Sequence, residues 1–199
     1  MSFSCRFQEL SAAIADCHYT KTEHFPLSED QALEEMQERI SQIAKQNGIV
    51  YVVGNGGSSG IASHFCNDLM KTLGVPSQTL FDSNVMTCLS NDLGYEKVFS
   101  YPLTKLLKPA DLLIAISSSG QSKNILNAAD VARSKNAGLI SFTGFQADNP
   151  LRQMGHLNFY IPRCDYGLVE SAHFFLLHTI IDVVPIASQT SAFRPGQRI

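Results

Sequence analysis

The stretch Ile49-Val50-Tyr51-Val52-Val53-Gly54-Asn55-Gly56-Gly57-Ser58-Ser59-Gly60 decides the fold class of this chain. Its first half is a continuous β-rich apolar run, the pattern of a strand covered on both faces, and Gly54 ends it. Its second half is a run of small residues that passes, from about Ser58, into helix-like spacing up to Leu73. Strand, glycine-rich turn and helix in that order set unpaired backbone N–H groups and the positive end of a helix dipole at the carboxyl end of the strand. Small side chains there let an anion approach the backbone.

A second segment repeats the device. Leu112-Leu113-Ile114-Ala115-Ile116 reads as another buried strand, Ser117-Ser118-Ser119-Gly120-Gln121-Ser122 as the turn, and the residues from Ser122 to about Asn136 as the helix. A single serine suffices to cap a helix, and this turn carries Ser117, Ser118, Ser119 and Ser122. Their hydroxyls and the backbone amides form a nest that can hold a phosphate monoester with neutral donors.

The rest of the chain fits the same alternation. Residues 6–20 and 29–46 have helical apolar spacing, and Ser28 with Gln31 forms a capping box for the second of these helices. A short strand is expected near Thr79-Leu80-Phe81 and a small helix over Asn84 to Ser90. Further strands are expected at Leu139–Thr143 and Leu157–Ile161, and a long apolar helix from Gly167 to Val184 closes the domain. Strands alternating with helices imply an α/β protein with a parallel sheet, whose ligands bind outside the carboxyl ends of the strands where the strand order reverses. The expected organisation is N-terminal helices over 1–47 that belong to the domain, a main unit over 48–185, and a loose polar tail over 186–199.

Composition narrows the function. The 199 residues are 44% hydrophobic and 17% charged, with a formal net charge of −3, so one domain can bury a substantial core and no broad basic face exists for nucleic acid or anionic lipid. An anionic ligand must be met locally, which favours a small metabolite. Cys5, Cys17, Cys66, Cys88 and Cys164 are scattered and lack a C-x-x-C pair, so they read as reduced thiols, without a disulfide framework or a thiolate zinc site. With no apolar leader and no apolar run of bilayer length, the reading is a cytoplasmic protein.

Two alternatives bear on the first turn. Its spacing is G-x-G-x-x-x-G, one residue longer than a dinucleotide fingerprint, although Asp82 stands where a ribose-binding acid would close the next strand. There is no G-x-x-x-x-G-K-[ST], which argues against a nucleotide triphosphatase. On the helix after the first turn, His64 and Asp68 lie four apart on one face, and the last helix carries Glu170, His173 and His178 in an apolar setting. Isolated, each is an ordinary buried polar group; together above a phosphate site they supply an acid and a base to move a proton beside a carbonyl.

Four separated motifs carry a family resemblance: V-V-G-N-G-G-S-x5-H-F-x2-D-L (52–69), S-N-D-L-G-Y-E-K-V-F (90–99), A-I-S-S-S-G-Q-S-x-N (115–124) and E-x2-H-x4-H (170–178). Together they resemble the sugar isomerase (SIS) domain and, within it, the phosphoheptose isomerases. The resemblance implies a flavodoxin-like three-layer sandwich with a five-stranded parallel sheet, assembling as a homotetramer with active sites at subunit interfaces. It implies conversion of sedoheptulose 7-phosphate to D-glycero-D-manno-heptose 7-phosphate, toward lipopolysaccharide or capsule precursors. Carried over by motif, Ser117, Ser118, Ser119 and Ser122 hold the phosphate. Asn55, Gly56, Gly57, Ser58, Asp92 and Glu170 contact the sugar, and Asp68 and His178 are catalytic.

Some members resemble zinc enzymes, and the corresponding positions here are His64, Asp68, Glu170 and His178. Asp68 replaces a glutamate and Glu170 a glutamine. Eight residues of helix rise about 12 Å, so Glu170 and His178 reach one ion only if Glu170 precedes the helix or the two come from different subunits. These departures, with a shortened loop after Lys71, keep two rivals open: a non-catalytic SIS protein, like the family's replication-initiator-associating relatives, and an isomerase of another sugar phosphate.

Overall fold

The computed structural model describes residues 2–22 and 25–183, so the expected tail over 186–199 lies outside the described residues. The run that opens the reading forms strand β3 (Val50–Gly54), every residue of it buried. Its alternate side chains enter two different cores. Val50 and Val52 join one cluster, Tyr51 and Val53 the other. Strand β5 (Leu112–Ser117) divides in the same way, with Leu112, Ile114 and Ile116 on one face and Leu113 and Ala115 on the other. A two-residue repeat with apolar layers on both sides is why these strands read as continuous rather than alternating apolar runs.

Strands β4 (Ser77–Gln78), β3, β5, β6 (Gly138–Thr143) and β7 (Leu157–Tyr160) are hydrogen-bonded in that spatial order and all parallel. Numbered by their own sequence order, this is the 2-1-3-4-5 flavodoxin-like arrangement, and the order reverses between β3 and β5. In place of the expected five strands, the sheet has seven among the described residues. The chain adds β1 (His18–Lys21), antiparallel to β7, and β2 (Pro26–Leu27), antiparallel to β1. The first helix, expected over 6–20, accordingly runs as α1 (Phe3–Ala15), opened by the Ser2 hydroxyl accepting from the Cys5 N–H. Two strands this short show no period of their own; β7 supplies the partner that extends them.

Helix α2 (Glu29–Lys45) begins at the expected capping box: the Gln31 N–H donates to Ser28 Oγ, and the Ser28 N–H donates to Gln31 Oε1. With α1, helix α3 (Gly57–Leu73) and helix α7 (Tyr166–Val183), it covers one face of the sheet. Helices α5 (Ser100–Leu106) and α6 (Lys123–Ser134) cover the other. Asn136 takes a left-handed φ of 55° just past α6, where the sequence signals a stop. The strand expected at 79–81 is displaced: β4 ends at Gln78, and Leu80 and Phe81 leave the sheet to pack beneath helix α4 (Ser83–Leu93). Asp82 caps that helix by accepting from the Val85 N–H at 2.9 Å.

Candidate functional site

Both small-residue turns end at the sheet's reversal point and line one cleft of about 250 Å³, formed by Asn55, Gly56, Gly57, Ser58, Ile116, Ser117, Ser118, Ser119, Ser122, Tyr166 and Glu170. The first turn works because Gly56 adopts φ 52°, a left-handed value that costs a side-chain-bearing residue, and leaves the start of α3 without a side-chain cap. Gly56, Gly57 and Ser58, at the N-terminal end of α3, all line the cleft. Gly57 gives room for a neighbour: a Cβ there would sit 2.6 Å from Glu170 Cδ, so the Glu170 carboxylate lies over the first turn of α3.

The second turn is held from below. Gly120 has φ 63°, its N–H donates to Ser117 O and Oγ, and Asn149 packs against its α-carbon. The Gly144 N–H donates to Ser118 O, tying the turn to the end of β6. Ser117 and Ser118 are buried, and Ser118 Oγ has no hydrogen-bond partner among the described residues. Ser122 begins α6 without capping it, so its hydroxyl is not committed to the helix. Helices α3 and α6 thus direct two N-termini at one crevice, where a phosphate is favoured by dipole and donors together.

A second cluster sits farther along α3. His64 Nε2 is 3.1 Å from Asp68 Oδ2, His178 Nδ1 is 3.6 Å from the same oxygen, and the two imidazole centroids are 4.7 Å apart. The Phe174 ring stands against both histidines at 5.1 and 4.6 Å. These three residues form a group that can hold a metal ion, with ligand atoms all within 4.8 Å of one another. Two ligands about 2.1 Å from a tetrahedral ion are about 3.4 Å apart, so the observed spacings fit, and two nitrogens with one carboxylate oxygen suit zinc with a fourth position open.

The cluster and the cleft do not meet within one chain. From Gly57, seven residues of helix place His64 about 10 Å down α3 and eleven place Asp68 about 16 Å down. Glu170 lies inside α7, not ahead of it, about 12 Å of helical rise from His178. It is therefore apart from the three-residue group within one chain, which removes the expected route in which Glu170 precedes the helix. Asp92 is exposed on α4, where it accepts from Asn91 Nδ2 at 2.8 Å and takes the Cys88 thiol at 3.5 Å, and it does not line the cleft.

The amide of Asn55 exchanges two hydrogen bonds with Asn124, and its Oδ1 also accepts from the Tyr95 hydroxyl at 3.0 Å. Tyr95 and Asn124 fall within the motifs at 90–99 and 115–124, so their positions signalled function although no role followed from sequence alone. Tyr166 lines the cleft and meets the Phe145 ring at 4.8 Å, above a Phe145 φ of 58°; nothing in the sequence pointed to this pair. His173 is fully buried, with Nε2 donating to Thr143 O at 3.1 Å and Nδ1 without a partner among the described residues; burial pushes its pKa down to about 4. All five cysteines are free, and burial pushes the Cys17 and Cys66 thiols up to about 12, so neither ionises near neutrality.

Sheet order and paired turns place the chain among doubly wound α/β proteins whose ligand crevice lies at the switch point. The SIS domain profile matches residues 20–144. A phosphoheptose isomerase of Aliarcobacter butzleri is 32% identical over 164 residues, covering 77% of this chain and 86% of that protein. One of Cytophaga hutchinsonii is 33% identical over 148 residues, covering 71% and 77%. The solved phosphoheptose isomerase from Francisella tularensis matches with a TM-score of 0.78 at 24% identity, over 91% of this chain and 95% of that one. The chain belongs to the SIS domain family, in its phosphoheptose isomerase branch, a branch of isomerase enzymes. No helix among the described residues is long and apolar enough to cross a membrane.

Proposed function

We propose that the protein is a cytoplasmic ketose-to-aldose isomerase acting on sedoheptulose 7-phosphate and releasing D-glycero-D-manno-heptose 7-phosphate, a precursor for lipopolysaccharide or capsule. The observation that carries this reading is the convergence of two helix N-termini and a serine nest on one cleft, next to a separate His/Asp/His group. Ser117, Ser118, Ser119 and Ser122, with the amides of Gly56, Gly57 and Ser58, hold the phosphorylated end of the sugar. Asp68 takes the proton from C1 and returns it to C2, and His178 serves the carbonyl and hydroxyl oxygens as they exchange roles. His64, Asp68 and His178 are the residues that would hold zinc, which when bound polarises a carbonyl as a Lewis acid.

Because cleft and cluster are separated along α3, the complete site takes its cleft and Glu170 from one copy and its His64, Asp68 and His178 from another. A homotetramer joined through α1, α3 and α7 provides this. Phe3, Phe7, Phe174 and Phe175 on two of those helices are 99%, 70%, 38% and 52% exposed in the single chain, apolar surface that association would cover.

The test uses paired variants. Asp68→Asn and Ser119→Ala, each purified alone, lose sedoheptulose 7-phosphate isomerisation while staying folded; mixed and reassembled, they regain part of it. Normal turnover in either single variant refutes the residue roles. Inactive mixtures with intact mixed assemblies refute the shared site, and a clear preference for a pentulose or hexulose phosphate over the heptulose refutes the substrate.

A further inference from the structure

Asn55 lines the phosphosugar cleft, and what it can offer a ligand is fixed by two residues outside that cleft. The Ile125 N–H can only donate, and it reaches Asn124 Oδ1 at 3.0 Å, so the orientation of the Asn124 amide is set. Asn124 Nδ2 then faces Asn55 Oδ1 at 2.8 Å, and Asn55 Nδ2 faces Asn124 Oδ1 at 2.9 Å. Tyr95 donates its hydroxyl to the same Asn55 Oδ1 at 3.0 Å. Two donors now occupy the oxygen of Asn55. One of the two hydrogens on its nitrogen is spent on Asn124, and one remains.

We infer that Asn124 and Tyr95 are positioning residues that lock the Asn55 amide with its oxygen turned away, so that Asn55 meets the substrate with a single N–H and selects an acceptor oxygen. On a ketose phosphate the acceptors without a proton of their own are the carbonyl and phosphoryl oxygens. A freely rotating amide would accept from a sugar hydroxyl as readily as it donates to a carbonyl, and the lock removes that choice. The same pair joins the two turns, since Asn55 follows β3 and Asn124 lies in the first turn of α6. Asn124 is 2% exposed, so the contact is shielded from competing water. This inference rests on the phosphosugar reading of the cleft and goes beyond it by assigning the polarity of one contact.

The test is a double-mutant cycle with a structural control. Asn124→Asp keeps size and the bond to Ile125, whose N–H is also held by Ser122 O, but sets an acceptor against Asn55 Oδ1. In the wild-type background it lowers kcat/KM for the ketose phosphate on the order of 10- to 100-fold, the value of a hydrogen bond to a developing charge. In an Asn55→Ala background the same change costs less than about twofold, because its effect passes through Asn55. Equal losses in both backgrounds overturn the inference. The Asn124 side-chain amide protons, followed by NMR in the unliganded protein, exchange slowly and lose that protection in Asn55→Ala, which removes the oxygen that accepts one of them. Unprotected amides in the wild type overturn it too, and this readout stands even if no ketose phosphate is turned over, which would refute the parent reading alone.

Discussion

Replacing His173 removes a pH dependence whose size follows from its surroundings. The imidazole is fully buried; Nε2 must carry the proton because Thr143 O can only accept, and the bare lone pair of Nδ1 then meets no partner among the described residues. Protonating Nδ1 would bury a charge and an unsatisfied N–H, so the pKa falls from 6.5 to about 4. The unfolded chain takes up a proton below pH 6.5 that the folded chain refuses until about pH 4. Stability from this group is thus complete above 6.5 and is lost as pH falls through that window, reaching about 3 kcal/mol in total at 1.36 kcal/mol per pKa unit. Between pH 7.5 and 5 the loss amounts to about 2 kcal/mol. Urea unfolding at pH 7.5, 6 and 5 measures it. In His173→Gln, which can still donate to Thr143 O, the decline with acid is about 2 kcal/mol shallower than in the wild type, other groups being common to both. His156, whose pKa is also lowered by burial, contributes to both curves equally. Parallel curves would refute the assignment of a neutral buried imidazole.

Three more outcomes follow from the site. Gly57→Ala forces the Glu170 carboxylate back by roughly 1 Å and lowers kcat/KM on the order of 100-fold, while the melting temperature holds or rises, because alanine favours the helix and Glu170 can swing aside; unchanged kcat/KM would show that Glu170 does no work over the first turn. Gly120→Ala meets both a positive φ and the Asn149 side chain, whose Cβ is 2.8 Å from the added atom, and costs about 2 kcal/mol or more in urea unfolding together with weaker sugar phosphate binding. His64→Ala removes one of three candidate metal ligands, and elemental analysis of protein dialysed against zinc finds about one ion per chain in the wild type and a small fraction of that in the variant. Equal zinc contents would dismiss the group as a metal centre.

The parallel core was legible because buried strands and their helices carry period and composition in short windows. Val50–Gly54, Leu112–Ser117 and the helices after them lie where the run of residues places them. So do the capping box at Ser28 and the two turns, since caps and left-handed positions depend on residues within three or four places. Strands β1 and β2 were hidden for the opposite reason. Four and two residues have no readable period, and only pairing with β7, far away in sequence, makes them strands.

The sequence alone determined the chemistry on offer: serine hydroxyls and free amides for a phosphate, and a carboxylate with imidazoles for a proton or a metal. Tertiary structure decided how those groups are grouped. It brought the two turns into one cleft because β3 and β5 are neighbours at the point of reversal, and it set His64, Asp68 and His178 together because α3 and α7 share a face of the sheet. It also kept Glu170 and Asp92 apart from that trio and spent most of the Asn55 amide on Asn124 and Tyr95. Which side chains meet across an interval of tens of residues is set by packing and rise per residue, and no local stretch of sequence contains either.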